Sequence, residues 1–163
     1  MQNQASVAKG KLSVHIFNNC NSDIDLEKLI NYALKVLEDE SIACGELSFH
    51  LESEKKIAEL NELHMGKSGP TDVLSFPLDT GGQDNESDIP VLLGDIILCP
   101  AVALTQAVEH SLSFDEELFL LVTHGILHIF GHDHIEPEEK KIMQEREAFH
   151  LDKLGFVHKG WHV

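Results

Sequence analysis

Apolar and polar residues alternate at Leu12, Val14 and Ile16, which predicts a β-strand over Lys11–Phe17. A polar, turn-rich stretch, Asn19–Asp25, follows. Leu26, Leu29, Ile30, Ala33, Leu34 and Leu37 then recur at helical spacing and predict a helix over Asp25–Asp39. Gly45 opens a second strand over Glu46–Leu51, with Leu47 and Phe49 on one face. Glu54–His64 reads as a helix with Ile57, Leu60 and Leu63 turned inward. Gly66, Gly69 and Pro70 mark a loop. A short strand, Val73–Phe76, is stopped by Pro77, and the acidic, glycine-containing stretch Thr80–Pro90 reads as a mobile loop. Another strand is expected at Gly94–Leu98. Pro100 suits the first position of a helix that continues over Ala101–Glu109. Ser113 and Glu116 form a capping box that opens a helix over Phe114–Phe130, with Gly131 as its stop. Pro137 opens a last, charge-rich helix to Leu154, with Gly155 beyond it.

The order β-α-β-α-β-β-α-α-α, with strands early and helices late, is an α+β layout. The helix at Phe114–Phe130 is apolar nearly all round, so it is expected to be central and buried. The 163 residues fit one domain spanning 1–163. An apolar content of 42% supplies a core and excludes global disorder.

Charge narrows the function. Twelve Lys plus Arg against 28 Asp plus Glu give a net −16, which excludes a broad basic groove for nucleic acid. Between Thr71 and Glu139 there are 14 acids and no Lys or Arg, and Arg146 is the single arginine of the chain. Cys20, Cys44 and Cys99 are odd in number, far apart and without a CxxC pair, so a disulfide framework is not expected and a reducing compartment fits. The polar segment Met1–Lys11 lacks a secretory apolar region. The longest purely apolar stretch, Leu118–Val122, is too short for a bilayer. These features predict a cytoplasmic protein without a membrane partner.

Eleven histidines are many for this length, and four lie between His124 and His134. His124 and His128 are four apart on the central helix, so their imidazoles share one face, one turn apart. Gly131 allows the chain to turn, and His134 is placed to return as a third ligand, with His132 as the alternative register. Three neutral imidazoles with one open position are the usual plan of a catalytic zinc site. The spacing HxxxHxxGxxH is that of the metzincin proteases. Those enzymes carry a glutamate base directly after the first histidine. Here that position is Gly125, which neither takes nor gives a proton.

The run His124-Gly125-Ile126-Leu127-His128-Ile129-Phe130-Gly131-His132-Asp133-His134 resembles the HGxLHxxGxDH signature of the YbeY family. Pro70-Thr71-Asp72-Val73-Leu74-Ser75-Phe76-Pro77 is similar to its PTDVLSFP segment. Gly94-Asp95-Ile96 is similar to its third short motif, and Leu60-Asn61 stands at the matching distance upstream. The resemblance implies a zinc-dependent endoribonuclease acting on single-stranded ribosomal RNA. Its implied setting is 3′ end maturation of the small-subunit RNA and ribosome quality control. One zinc per chain would be held by His124, His128 and His134. The implied fold is α+β, a small mixed four-stranded sheet with about five helices and a zincin-like zinc helix buried against it. The implied partners are a small-subunit ribosomal protein and an Era-type GTPase. The sequence departs from the family at Met65, where an arginine before a glycine is usual; Lys67 and His64 are the polar neighbours.

Other residues have readings of their own. Asp133 either orients a ligand histidine, moves a proton or caps its turn. Asp72 either faces the cleft or closes a turn, and Asp95 is more simply structural. Ser75 has no nucleophile role, Met143 is core packing, Asp84–Asp88 is a solvated loop and Lys55-Lys56 an exposed helix face. Two alternatives stand beside the endoribonuclease. One is a non-catalytic ribosome-assembly factor with a structural zinc, and the other is a zinc peptidase.

Overall fold

The computed structural model describes residues 3–78, 91–132 and 135–155. The expected loop at Thr80–Pro90, and with it Asp84–Asp88, lies outside the described residues. The elements are β1 (Gln4–Lys9), β2 (Lys11–Asn18), α1 (Leu26–Asp39), β3 (Cys44–Leu51), α2 (Glu54–Met65), β4 (Val73–Pro77), β5 (Leu92–Leu98), α3 (Pro100–Glu109), α4 (Phe114–Ile129) and α5 (Pro137–Asp152).

One mixed sheet runs in the order β1-β2-β3-β5-β4. Strands β2, β3 and β5 are parallel, and β1 and β4 are antiparallel edges. The α+β class and the five expected helices are present. The sheet has five strands rather than four. The added strand, β1, is an edge whose residues are exposed except for half-buried Ala5 and Val7. It is held by backbone pairing to β2 across a turn at Gly10, so no strong apolar pattern marks it.

Helix starts follow the local chemistry. Asp25 accepts the Lys28 amide at the start of α1, and Ser53 accepts the Lys56 amide at the start of α2. The Ser113 capping box is complete: its hydroxyl accepts from Glu116 N at 3.1 Å, and Glu116 accepts from Ser113 N at 3.0 Å. α2 ends at Gly66 in the left-handed conformation, φ 65°. Its buried positions are Ile57 and Asn61, while Leu63 is 75% exposed. Leu63 therefore does not face inward: the stripe that meets the sheet passes through 57 and 61, and 63 falls off it.

The main core lies between one sheet face and α1 with α4. Val14 pairs with Leu47, and Ile16 with Phe49, which in turn pairs with Ile96, so one apolar row crosses three strands. On the opposite face, Ile57 of α2 packs with Leu74, Ile97 and Cys99. Helix α4 is buried on nearly every side, as its composition predicts, and contacts α1, α3, α5, β4 and β5.

At Gly125 the helix is pressed against the sheet. A Cβ there would meet Ile96 Cγ2 at 2.9 Å and Ser75 Oγ at 3.3 Å. Ser75 also donates to the Gly125 carbonyl at 3.2 Å. The residue that distinguishes this chain from the metzincin pattern is thus glycine for packing reasons. A glutamate at 125 has no room.

Candidate functional site

His124 and His128 stand on successive turns of α4, with ring centroids 4.6 Å apart and planes at 74°. Together with Met65, Lys67, Asp72 and Ser75 they line a cleft of about 470 Å³. α2 and the loop after it supply Met65 and Lys67, β4 supplies Ser75, and Asp72 sits just before β4. The two imidazoles expected on one face are therefore brought together in one concavity. His134 and Asp133 lie outside the described residues. Among the described residues no three His, Cys, Asp or Glu side chains converge as a metal cage.

Burial pushes the His124 imidazole down to about 4, outweighing the opposite pull of the Asp72 charge. Its ring is therefore neutral at physiological pH, the form that ligates metals. His124 Nδ1 lies 3.2 Å from Glu147 Oε1 on α5. Burial pushes Glu147 up to about 9, and its Oε2 is buried without a hydrogen-bond partner among the described residues. Two imidazoles one turn apart, that of His124 neutral and tied to a buried carboxyl group, form a donor set that suits a zinc-like dication. The residues present fit such a group.

Asp72 combines both of its readings. Oδ1 accepts from Val73 N at 2.8 Å and from the Thr71 hydroxyl at 3.3 Å, closing the turn, while the side chain also borders the cleft. With its amide turned so that the nitrogen faces the two acids, Gln106 donates to Asp72 Oδ2 at 3.0 Å and to Glu117 Oε1 at 3.2 Å. Glu117 is fully buried, its carboxyl pushed up by burial, and it meets His110 Nδ1 at 3.3 Å. This chain of groups from α3 and α4 anchors the Asp72 carboxylate.

Asp95 instead pairs with His50 Nε2 at 2.9 Å. Met143 is core, as expected, and Lys55 and Lys56 are exposed. His132 is engaged elsewhere, with Nε2 3.9 Å from Glu40 Oε1. Glu40 also accepts from Arg146 Nε at 3.0 Å, from a second Arg146 nitrogen and from His150 Nε2 at 2.8 Å. Burial alone would raise the Glu40 carboxyl, but hydrogen bonds from Arg146 and His150 hold it below its ordinary 4.5. The sole arginine thus ties α5 to the end of α1. At the cleft itself stands Met65, 45% exposed.

Sequence reasoning missed Glu147 and Gln106. The signal for Glu147 was present: Met143, Glu147, His150 and Leu151 form the buried stripe of α5, and a carboxylate on such a stripe needs a partner. Gln106 carries no comparable mark.

The model of the family described as endoribonuclease YbeY matches residues 15–155. A protein named endoribonuclease YbeY from Salinispora tropica is 43% identical over 148 residues, covering 86% of this chain and 91% of the relative. One of the same name from Acidothermus cellulolyticus is 44% identical over 147 residues, covering 86% and 87%. The solution structure of TM1509 from Thermotoga maritima superposes with a TM-score of 0.57 at 28% identity, covering 91% of this chain and 99% of that one.

Proposed function

The chain belongs to the YbeY endoribonuclease family, and on that premise we propose that its 470 Å³ cleft cleaves single-stranded ribosomal RNA with one zinc held by His124, His128 and His134. The proposed setting is 3′ end maturation of the small-subunit RNA and ribosome quality control, in the cytoplasm. A small-subunit protein and an Era-type GTPase are the proposed partners. The observation that carries the reading is the pair of imidazoles facing one cleft, with His124 bonded to Glu147.

A bound zinc supplies Lewis-acid polarisation of a phosphoryl oxygen. The remaining work falls to the protein. His124 and His128 present nitrogen donors from a rigid, buried helix, which keeps their separation fixed. Lys67 lines the cleft and makes no ion pair among the described residues, so its ammonium is available to a phosphate of the RNA. Asp72 is held by three donors, which makes it an oriented acceptor at the cleft. Gly125 contributes no base, and the tight packing there disfavours the peptidase alternative.

The test pairs metal content with cleavage. Untagged protein is analysed for zinc and incubated with a single-stranded ribosomal RNA fragment, with His128→Ala and Met65→Arg alongside. One zinc per chain, with cleavage lost in His128→Ala, is the expected result. One zinc without cleavage until arginine is restored at position 65 would favour the assembly-factor alternative. Absence of zinc would overturn the metal reading.

A further inference from the structure

Helix α5 is charge-rich, yet one of its acids is turned fully inward. Glu147 is 1% exposed. Its Oε1 meets His124 Nδ1 at 3.2 Å, and Oε2 is buried with no hydrogen-bond partner among the described residues. The polar groups around it are engaged with others. Tyr32 bonds to Thr123, Thr123 also donates to Phe119 O at 2.7 Å, and Arg146 and His150 both bond to Glu40. An apolar side chain of the same size would fill this position without an unmet oxygen. What singles out a carboxylate here is the imidazole it touches.

We propose that Glu147 is the positioning residue of the metal site. Its carboxyl Oε1 accepts the Nδ1–H of His124, which leaves Nε2 unprotonated as the ligating nitrogen and fixes the ring plane. The neighbouring clamp of Glu40 by Arg146 and His150 holds α5 against α1, which keeps Glu147 within reach of α4. The inference rests on the reading of His124 as a ligand.

The experiment measures zinc affinity of the full chain by competition with a chromophoric chelator, for wild type, Glu147→Leu, His124→Ala and the double variant. Far-UV circular dichroism of the metal-free proteins checks folding. The expected result is a 10- to 100-fold weaker zinc affinity in Glu147→Leu, with affinity largely kept in Glu147→Gln, whose amide oxygen still accepts the Nδ1–H. In the His124→Ala background the Leu change has no further effect, because Glu147 acts through that ring. Wild-type affinity in Glu147→Leu would overturn the proposal, as would an equal loss in both backgrounds. If Glu147→Leu does not fold, Glu147→Met replaces it in the cycle.

A second readout needs no variant. Nitrogen-15 chemical shifts of His124 in the zinc-loaded wild type are expected to show Nδ1 protonated, and the opposite tautomer would overturn the proposal. Wild type that binds no zinc at all would instead remove the ligand reading on which the inference stands.

Discussion

Gly125→Ala is a substitution on which two ordinary expectations have opposite signs. In a helix interior, replacing glycine by alanine stabilises by about 0.5–1 kcal/mol, since glycine loses more backbone freedom on folding. Here the new methyl would stand 2.9 Å from Ile96 Cγ2, 3.2 Å from Ile96 Cδ1 and 3.3 Å from Ser75 Oγ. Ile96 is itself fully buried in the row with Phe49 and Ile16, so it has nowhere to retreat. Forcing one extra carbon into such a core costs typically ~1–3 kcal/mol. Overpacking therefore wins, and a net destabilisation of about 0.5–2 kcal/mol is expected, or a fall in Tm of roughly 2–6 °C for a chain of this size. Urea unfolding followed by circular dichroism measures it directly. The double variant with Ile96→Ala should be less than additive, because the second change removes the atoms that clash. A Gly125→Ala protein more stable than wild type would refute the claim that α4 sits too close to β5 for a side chain.

Three further outcomes follow from the same contacts. Glu40→Gln should cost about 1–2 kcal/mol at neutral pH through the weakened bonds to Arg146 and His150. Because the folded pKa of Glu40 lies below its ordinary 4.5, this contribution is present above pH 4.5 and is lost as pH falls through the folded pKa. Denaturant midpoints of wild type and variant, compared from neutral to acid pH, should therefore converge. Lys67→Ala should weaken RNA binding and make the dependence of log affinity on log salt shallower by about 0.7, while Met65→Arg should steepen it similarly. An unchanged slope in Lys67→Ala would remove that residue from the RNA contact. Chelation should lower Tm, since zinc at 100 times its Kd adds about 2.7 kcal/mol of stability. A melting curve indifferent to chelator would count against a site of that affinity.

Much of the fold was legible in local pattern. Helices α1 and α4 declared themselves through apolar spacing, and Ser113 with Glu116 marked the start of α4. β1 escaped because an edge strand is held by its neighbour's backbone, which leaves only Ala5 and Val7 as a faint alternation. At the site, the pairing of His124 and His128 was visible because helical period alone brings them together. Glu147 stood on the buried stripe of α5, but its link to His124 was hidden, because the two lie 23 positions apart on different helices. The reason for glycine at 125 was equally hidden, since it resides in the distance between α4 and Ile96.

The commitment of Arg146 to Glu40 has a consequence for how the enzyme would meet its substrate. In a chain with a net charge of −16, the one guanidinium serves architecture, and the cleft keeps a lysine and two imidazoles. On the proposed reading, most of the attraction for a polyanion must then arrive with the metal. Zinc supply would set substrate capture as well as turnover, so that a metal-starved cell would hold a folded enzyme largely unable to engage RNA.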